Sequence, residues 1–115
     1  MHNTKMVKKK GTFKYLFNKG NVKKGRYLSI YYINNNKEIN CFGVCVSKKN
    51  GNSVSRNKLK RWVRETYKNF ENNMVKGLTI ICIIKKEVTM ENVDYITIYN
   101  EFKELLNEAN LYETC

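Results

Sequence analysis

The sequence has no proline and only one histidine. The scarcity of histidine limits the kinds of catalytic and metal-binding site that the protein can form. At 115 residues, with no internal repeat and no interdomain linker, the chain is predicted to form a single domain over residues 1–115. His2 is the sole imidazole, and neither a Ser-His or Cys-His pair nor paired carboxylates supply a usable general base. We therefore predict that the polypeptide has no catalytic residues of its own.

Metal-binding and membrane-spanning patterns are also missing. The four cysteines, Cys41, Cys45, Cys82 and Cys115, form no CxxC pair. Cys41 and Cys45 lie in an alternating segment typical of a strand, where four residues span about 13 Å, too far to share one metal ion. The longest apolar run, Leu78–Ile84, is too short to cross a bilayer, and the N-terminus lacks the apolar region of a secretory signal. We expect a cytoplasmic protein with no protein-bound metal and no membrane partner.

Acidic residues are scarce in the first three-quarters of the chain. Residues 1–86 contain 21 Lys or Arg and three acids, a net charge of +18, whereas residues 87–115 contain one Lys and seven acids, a net charge of −6. The positive field is therefore concentrated where it can attract phosphate groups. The acidic C-terminal segment is predicted to be a structural cover.

What the chain does have is a dense basic segment, which runs from Lys48 to Lys68 as KKNGNSVSRNKLKRWVRETYK. A helix over residues 54–70 gathers six polar donors within an arc of about 140° and an apolar set within a separate arc of about 100°. A charge run is often only a solvated surface, but so many aligned donors repel one another unless a polyanion neutralises them. We predict a helix that docks on the core and binds nucleic acid. The donors are Arg56, Asn57, Lys60, Arg61, Arg64 and Lys68; the apolar set is Leu59, Trp62, Val63, Thr66 and Phe70.

The remaining elements follow from residue patterns. Thr12 is predicted to cap a short helix that Gly20 ends. Strands are predicted over residues 26–33 and 39–47, joined by an asparagine-rich turn, and over 78–84, a continuous apolar run with both faces buried. An acidic amphipathic helix closes the chain. The predicted order is a helix, two or three strands, the basic helix, a strand and a helix.

One face of the predicted sheet carries Tyr27 and Tyr31 on one strand and small residues such as Gly43 and Cys45 on its neighbour. Such a trough admits a flat base onto an aromatic ring. The alternative is a helix packed over this face, and the sequence leaves both possibilities open. Phe13 and Phe17 on the first helix are either core residues or the border of a binding surface.

The run from Phe42 to Glu65, FGVCVSKKNGNSVSRNKLKRWVRE, closely resembles the signature of the bacterial ribonuclease P protein subunit, G-x-S-V-S-K-K-x-G-x-A-V-x-R-N-R-x-K-R-x-x-R-E. The resemblance extends over essentially the whole chain. It implies an α+β fold, a ribosomal-protein-like two-layer α/β sandwich of order α-β-β-β-α-β-α. The implied sheet is mixed, has about four strands, and contains a left-handed β-α-β crossover around the basic helix.

The resemblance also implies a function. In this family the catalyst is a large RNA that removes the 5′ leader of precursor tRNA, with Mg²⁺ bound mainly through the RNA and no organic cofactor. The protein would be the accessory subunit of that endoribonuclease, with both RNAs as partners and no obligate protein partner. Matching positions assign these residues to the catalytic RNA: Lys48, Lys49, Arg56, Asn57, Lys58, Lys60, Arg61, Arg64 and Lys68. The corresponding leader-binding residues are Phe13, Phe17, Arg26, Tyr31, Cys45 and Ser47.

The chain departs from the family pattern at a few positions. Lys58 stands where arginine is usual, which keeps the charge but loses the planar fork that grips phosphate. Cys45 replaces a common serine and Ser53 a common alanine. Cys41 occupies a position often held by arginine, and Thr79 replaces a usual aspartate. Two other classes remain as alternatives: a non-catalytic ribosomal-type RNA-binding protein, and a DNA-binding helix-turn-helix protein.

Overall fold

Five strands form one mixed sheet, and three helices pack on its two faces. The structure, a computed structural model, describes residues 4–7 and 9–112. Two short 3₁₀ turns, Lys48–Asn50 and Glu71–Asn73, flank the long central helix. In chain order the elements are β1 (Thr4–Met6), α1 (Lys10–Lys19), β2 (Asn21–Lys24), β3 (Leu28–Asn34), β4 (Asn40–Cys45), α2 (Ser53–Phe70), β5 (Leu78–Ile84) and α3 (Tyr95–Glu108).

The strands lie in the order β1-β4-β5-β3-β2. β4 is parallel to both β1 and β5, whereas β3 is antiparallel to both β5 and β2. β5 is the central strand, and all but one of its residues are buried because its continuous apolar sequence suits a strand covered on both sides. The parallel pair β4 and β5 is connected through α2; the left-handedness of this crossover stays a prediction.

The main core lies between the sheet and helices α2 and α3. α2 packs over β4, and α3 packs over β3 and β2. The apolar stripe of α2 supplies Leu59, Val63 and Tyr67, all fully buried. The ring of Phe42 on β4 stacks on Tyr67 with 4.1 Å between ring centroids and meets Phe102 of α3 edge-on. We refer to this side of the sheet as the core face.

α1 lies on the opposite side, the outer face. Its Leu16 is buried, and the ring of Phe17 meets Tyr31 of β3 at 5.0 Å in a T-shaped contact. Phe13 lies directly over β4: a Cβ atom added to Gly43 would approach the Phe13 ring to 3.2 Å. The absence of a side chain at Gly43 is therefore what lets α1 pack this closely.

The predicted α+β fold is confirmed, with corrections at the N-terminus. β5 has the predicted bounds, and α2 begins one residue before the predicted helix. The sheet has five strands rather than about four, because Thr4–Met6 adds a parallel edge strand to β4. Thr12 as N-cap is wrong: α1 begins at Lys10, and Thr12 lies inside its first turn, where its N–H bonds to the Lys9 carbonyl.

Candidate nucleic-acid interface

The cationic side chains of α2 fall into two rows. The edge row consists of Arg56, Lys60 and Arg64, which are all half-buried and follow one another at four-residue spacing. The outer row is exposed and consists of three cations, Lys58, Arg61 and Lys68, together with the amide of Asn57. Sequence reasoning placed most of these residues in one arc, and only the packing of the helix divides them.

The orientation of α2 explains this division. Trp62 faces α3, because its ring lies 6.3 Å from that of Tyr95. Lys60 lies about 160° around the helix from Trp62, so the edge row is on the side away from α3. Since α2 packs over β4, this side overlooks the edge of the sheet at β4.

That edge of β4 is only partly covered. β1 pairs with Asn40, Cys41 and Phe42, and no strand among the described ranges 4–7 and 9–112 pairs with the outer edge of the residues that follow. Cys45, at the end of β4, is on the outer face beside Ile83 of β5. Burial raises the pKa of the Cys45 thiol, and the nearby positive charge of Lys60 partly lowers it. The charge of Lys60 is therefore close enough to influence the pKa of this thiol.

Two arginines of the edge row have buried nitrogens without partners. The Nε atoms of Arg56 and Arg64 are buried and make no hydrogen bond within the part of the chain that the structure describes. Another guanidinium nitrogen of Arg56 donates to Ser53 Oγ at 3.2 Å. The start of the helix is fixed by Asn52, whose side-chain oxygen accepts the Ser55 N–H at 2.9 Å. The backbone that carries the edge row is therefore ordered, while two of its donors lack acceptors.

Three residues of the outer row and one of the edge row border a surface groove of about 520 Å³. Lys58 lies 5.7 Å from the centre of the Trp62 ring, in a cation-π contact, and Lys68 lies 3.8 Å from the Glu65 carboxylate. The replacement of the usual arginine by Lys58 therefore still supplies a positive charge on this surface. The groove is lined by Val54, Asn57, Lys58, Arg61 and Arg64.

Of the two possibilities that the sequence left open, the packed helix is present, because α1 lies over the outer face. α1 covers the part around Gly43 with the half-buried Phe13. Beside it, Phe17 is 43% exposed and Tyr31 is half-buried. At the predicted trough the rings of Phe17 and Tyr31 therefore remain partly exposed, whereas Phe13 packs over β4.

The loop that carries Lys48 and Lys49 is held by a residue that the sequence analysis did not single out. Asn50 is completely buried, and its side-chain oxygen accepts the Ser47 N–H at 2.8 Å. Its amide donates to the carbonyls of Lys85 at 2.8 Å and Val88 at 2.7 Å. Asn50 thereby joins two loops and leaves Lys48 and Lys49 exposed. Its position before Gly51 indicates only a turn, so the sequence carries no signal for this role.

Arg26 lies apart from the aromatic wall. It is in the turn between β2 and β3, with its guanidinium 5.3 Å from the centre of the Tyr27 ring. The carboxylate of Glu101 in α3 accepts the backbone N–H groups of Tyr27 at 2.8 Å and Leu28 at 2.7 Å, and also that of Arg26. Arg26 and Lys85 line a different cleft, of about 530 Å³, on this side of the turn.

Two further departures from the family pattern lie together on the outer face. Cys41 and Thr79 are neighbours across β4 and β5. Both line a cleft of about 280 Å³ with Lys5 and Lys37. Two lysines therefore stand beside Cys41, where arginine is common in the family pattern.

Among residues 4–7 and 9–112, no three His, Cys, Asp or Glu side chains come together in a way that could hold a metal ion. His2 and Cys115 lie outside the described residues. Within the same ranges, none of the helices combines the length and apolar character needed to cross a membrane.

Comparison with known proteins gives a consistent result. A family model described as Ribonuclease P matches residues 1–110. The chain is 35% identical to a ribonuclease P protein component of Clostridium botulinum, over 92% of this chain and 95% of the relative. It is 30% identical to the corresponding protein of Caldanaerobacter subterraneus subsp. tengcongensis, over 93% of this chain and 90% of the relative.

Solved structures agree. The RNase P protein of Staphylococcus aureus superposes with a TM-score of 0.85 at 29% identity, covering 94% of this chain and 97% of that one. The RNase P protein of Thermotoga maritima gives a TM-score of 0.80 at 28% identity, covering 90% and 96%.

Proposed function

Because this chain belongs to the ribonuclease P protein component family, we propose that it binds the catalytic RNA of ribonuclease P and the 5′ leader of precursor tRNA. In this role it assists the Mg²⁺-dependent endonucleolytic removal of the leader, which yields the mature 5′ end. The chain acts as the accessory subunit of an endoribonuclease, and the catalytic centre lies in the partner RNA.

The observation that supports this proposal best is the presence of two surfaces of different chemistry on the same domain. α2 offers an exposed row of cations, which suits the phosphates of a large structured RNA. The trough on the outer face offers the rings of Phe17 and Tyr31, which suit the unstacked bases of a single strand. A protein with both surfaces is able to hold a single-stranded leader next to a folded RNA.

The chemistry of the side chains is consistent with an accessory role. In the proposed function Mg²⁺ is bound by the RNA, whose phosphate oxygens are the hard ligands that this ion prefers. The protein contributes positive charge that reduces repulsion between the two RNAs, so that less Mg²⁺ is needed to bring them together.

The family match favours this function over the two alternatives from the sequence. A helix-turn-helix protein requires a helix just before the recognition helix, but β4 and a 3₁₀ turn precede α2. A ribosomal-type RNA-binding protein has no need of an aromatic trough, and the partly exposed rings of Phe17 and Tyr31 support the presence of one here.

Reconstitution is the direct test of the proposal. The cognate catalytic RNA is transcribed, and leader removal from precursor tRNA is followed at low Mg²⁺ with and without the purified chain. We expect the RNA to cleave precursor tRNA faster with the chain than without it. With the chain present, precursor tRNA should also bind more tightly than mature tRNA. Cleavage by the chain without RNA, or no effect of the chain on the RNA, would contradict the proposal.

A further inference from the structure

We propose that Glu101 of α3 is a positioning residue for leader binding. Its carboxylate fixes the turn between β2 and β3, so that Arg26 presents its guanidinium to a phosphate of the leader strand. This inference rests on the proposed function and on the assignment of Arg26 to the leader. It gives a role in RNA binding to an acid of the C-terminal segment, which the sequence predicted to be a structural cover.

The contacts of the Glu101 carboxylate are the first argument. One of its oxygens accepts the backbone N–H groups of Tyr27 at 2.8 Å and Leu28 at 2.7 Å, and the other accepts the N–H of Arg26. Three consecutive backbone donors thus converge on one carboxylate, whose charge strengthens each hydrogen bond. The backbone that carries the Arg26 side chain is therefore held by α3 as well as by the strands.

The glycine that opens the turn is the second argument. A Cβ atom added to Gly25 would lie 2.6 Å from Oε1 of Glu101, which is closer than such atoms approach. Glycine therefore leaves the space that the carboxylate occupies, and a larger residue would displace it. The Gly25 N–H also donates to the Leu28 carbonyl at 2.7 Å and closes the turn.

The surroundings of Arg26 are the third argument. Its side chain is exposed, and its guanidinium lies 5.3 Å from the centre of the Tyr27 ring. Within the part of the chain that the structure describes, no ion pair engages this guanidinium. The Tyr27 carbonyl accepts the Lys85 N–H at 3.0 Å, so the same turn also places Lys85.

The cleft of about 530 Å³ beside the turn is where these groups meet. Arg26, Tyr27 and Lys85 are part of its lining, which also includes one acid, Glu87. A guanidinium and an ammonium group beside an aromatic ring suit a phosphate with its attached base. The turn that Glu101 fixes therefore carries side chains that recognise a nucleotide.

The sign of the expected effect separates positioning from simple electrostatics. Replacing Glu101 by glutamine removes a negative charge, and the loss of that charge alone would tighten the binding of RNA. A positioning role has the opposite result, because the turn loses its anchor and the guanidinium loses its place. Weaker leader binding after the loss of an acid is therefore the signature of positioning.

The test uses the holoenzyme, reconstituted from the catalytic RNA and variants of the full chain. Glu101→Gln removes the carboxylate, Gly25→Ala displaces it without changing any charge, and Arg26→Ala removes the positioned group. Glu104→Gln is the control, because Glu104 is exposed on the same helix and its change removes the same charge. The ratio of holoenzyme affinities for precursor and mature tRNA is measured, and circular dichroism reports whether each variant is folded.

We expect Arg26→Ala to lower this ratio by about tenfold, the loss typical of a charge-assisted contact. Glu101→Gln and Gly25→Ala should each lower it by about fourfold, because Arg26 keeps its charge but not its position. The double variant Arg26→Ala/Glu101→Gln should fall no further than Arg26→Ala alone, since both changes act through one contact. Glu104→Gln should leave the ratio unchanged.

The outcomes that overturn the inference differ from those that overturn the proposed function. If Glu101→Gln and Gly25→Ala lower stability but leave the ratio unchanged, Glu101 is only a structural residue and the proposed function stands. The inference is also wrong if Arg26→Ala leaves the ratio unchanged, or if the losses in the double variant are additive. If the unmodified holoenzyme shows no preference for precursor tRNA, the leader-binding function itself is wrong and the inference fails with it.

Discussion

The two faces of the sheet use the same strands for different purposes. Along β4, Phe42 points to the core face and is fully buried, whereas its neighbour Gly43 lies under α1 on the outer face. The core face is closed by two helices and large apolar side chains, and the outer face by one short helix, with small residues and half-exposed rings beside it. Strand alternation thus lets stability reside on one face while the other remains available for binding.

The strongest test of this comparison is Phe42→Ala on the core face. The ring stacks on Tyr67 and meets Phe102, so its removal leaves a cavity in the centre of the core. We expect the free energy of unfolding to fall by about 3–5 kcal/mol, measured by urea denaturation. A loss below about 1 kcal/mol would mean that this face is not the main source of stability.

The next test is Asn50→Ala, which affects the two loops that Asn50 joins at the end of the sheet. This change removes the acceptor of the Ser47 N–H and the donor to the carbonyls of Lys85 and Val88, of which the Lys85 carbonyl still accepts the Val88 N–H. We expect a loss of about 2–3 kcal/mol of stability, measured by thermal or urea unfolding. Asn57→Ala, at an exposed position of α2, is the matched control and should change stability by less than about 0.5 kcal/mol. Equal effects at the two positions would contradict the structural role of Asn50.

On the outer face, Tyr31→Ala should show the opposite balance of effects. The ring is half-buried and contacts Phe17, so stability should fall by only about 1 kcal/mol. Affinity of the holoenzyme for precursor tRNA should fall by about tenfold, the loss expected for one stacked base, with affinity for mature tRNA unchanged. Tyr15→Ala is the control, because Tyr15 is 55% exposed on α1 and points away from the trough. Equal losses for both tRNAs would argue against leader binding in the trough.

The smallest expected effect is on the pH dependence of stability. Its test is a comparison of two thiols, one on each face of the sheet. Cys82 is completely buried on the core face and Cys45 half-buried on the outer face; burial raises the pKa of both thiols. Above the ordinary thiol pKa, the unfolded chain loses protons that the folded chain keeps, so stability falls as the pH rises beyond about 9. The slope is at most about 1.4 kcal/mol per pH unit for each group.

This pH effect is checked by urea unfolding between pH 8 and about pH 10, where linkage predicts it. Cys82→Ala should flatten the decline more than Cys45→Ala does, because the pKa of Cys82 is raised further by complete burial. Tyr67, whose pKa burial also raises, should add to the decline near the upper end of this range in all variants. An identical decline in the two cysteine variants would contradict the difference between the faces.

The sequence predicted those helices and strands whose structure is specified by neighbouring residues. β5 and α2 have the expected bounds because an uninterrupted apolar run and a two-sided periodicity each specify one structure. β1 was missed because Thr4–Met6 carries no such pattern. Its place depends on hydrogen bonds to β4 and on Thr4, whose hydroxyl is 2.8 Å from that of Tyr67 and also donates to Glu71.

The candidate site was predicted only in part for a similar reason. Helical winding identified the cations of α2, but the division into an edge row and an outer row depends on which side of the helix packs toward α3. Asn50 and Glu101 were missed because their partners are backbone groups far away in the sequence. Such partners become visible only when the chain is folded.

The clamp formed by Asn50 has a consequence for the kinetics of RNA binding. Its bonds to Ser47, Lys85 and Val88 tie two loops together before any ligand arrives. The entropy of ordering these loops is therefore lost during folding and is not lost again at encounter. We expect the neighbouring lysines to capture RNA without a slow rearrangement of the backbone, so that association is governed by diffusion and electrostatic steering.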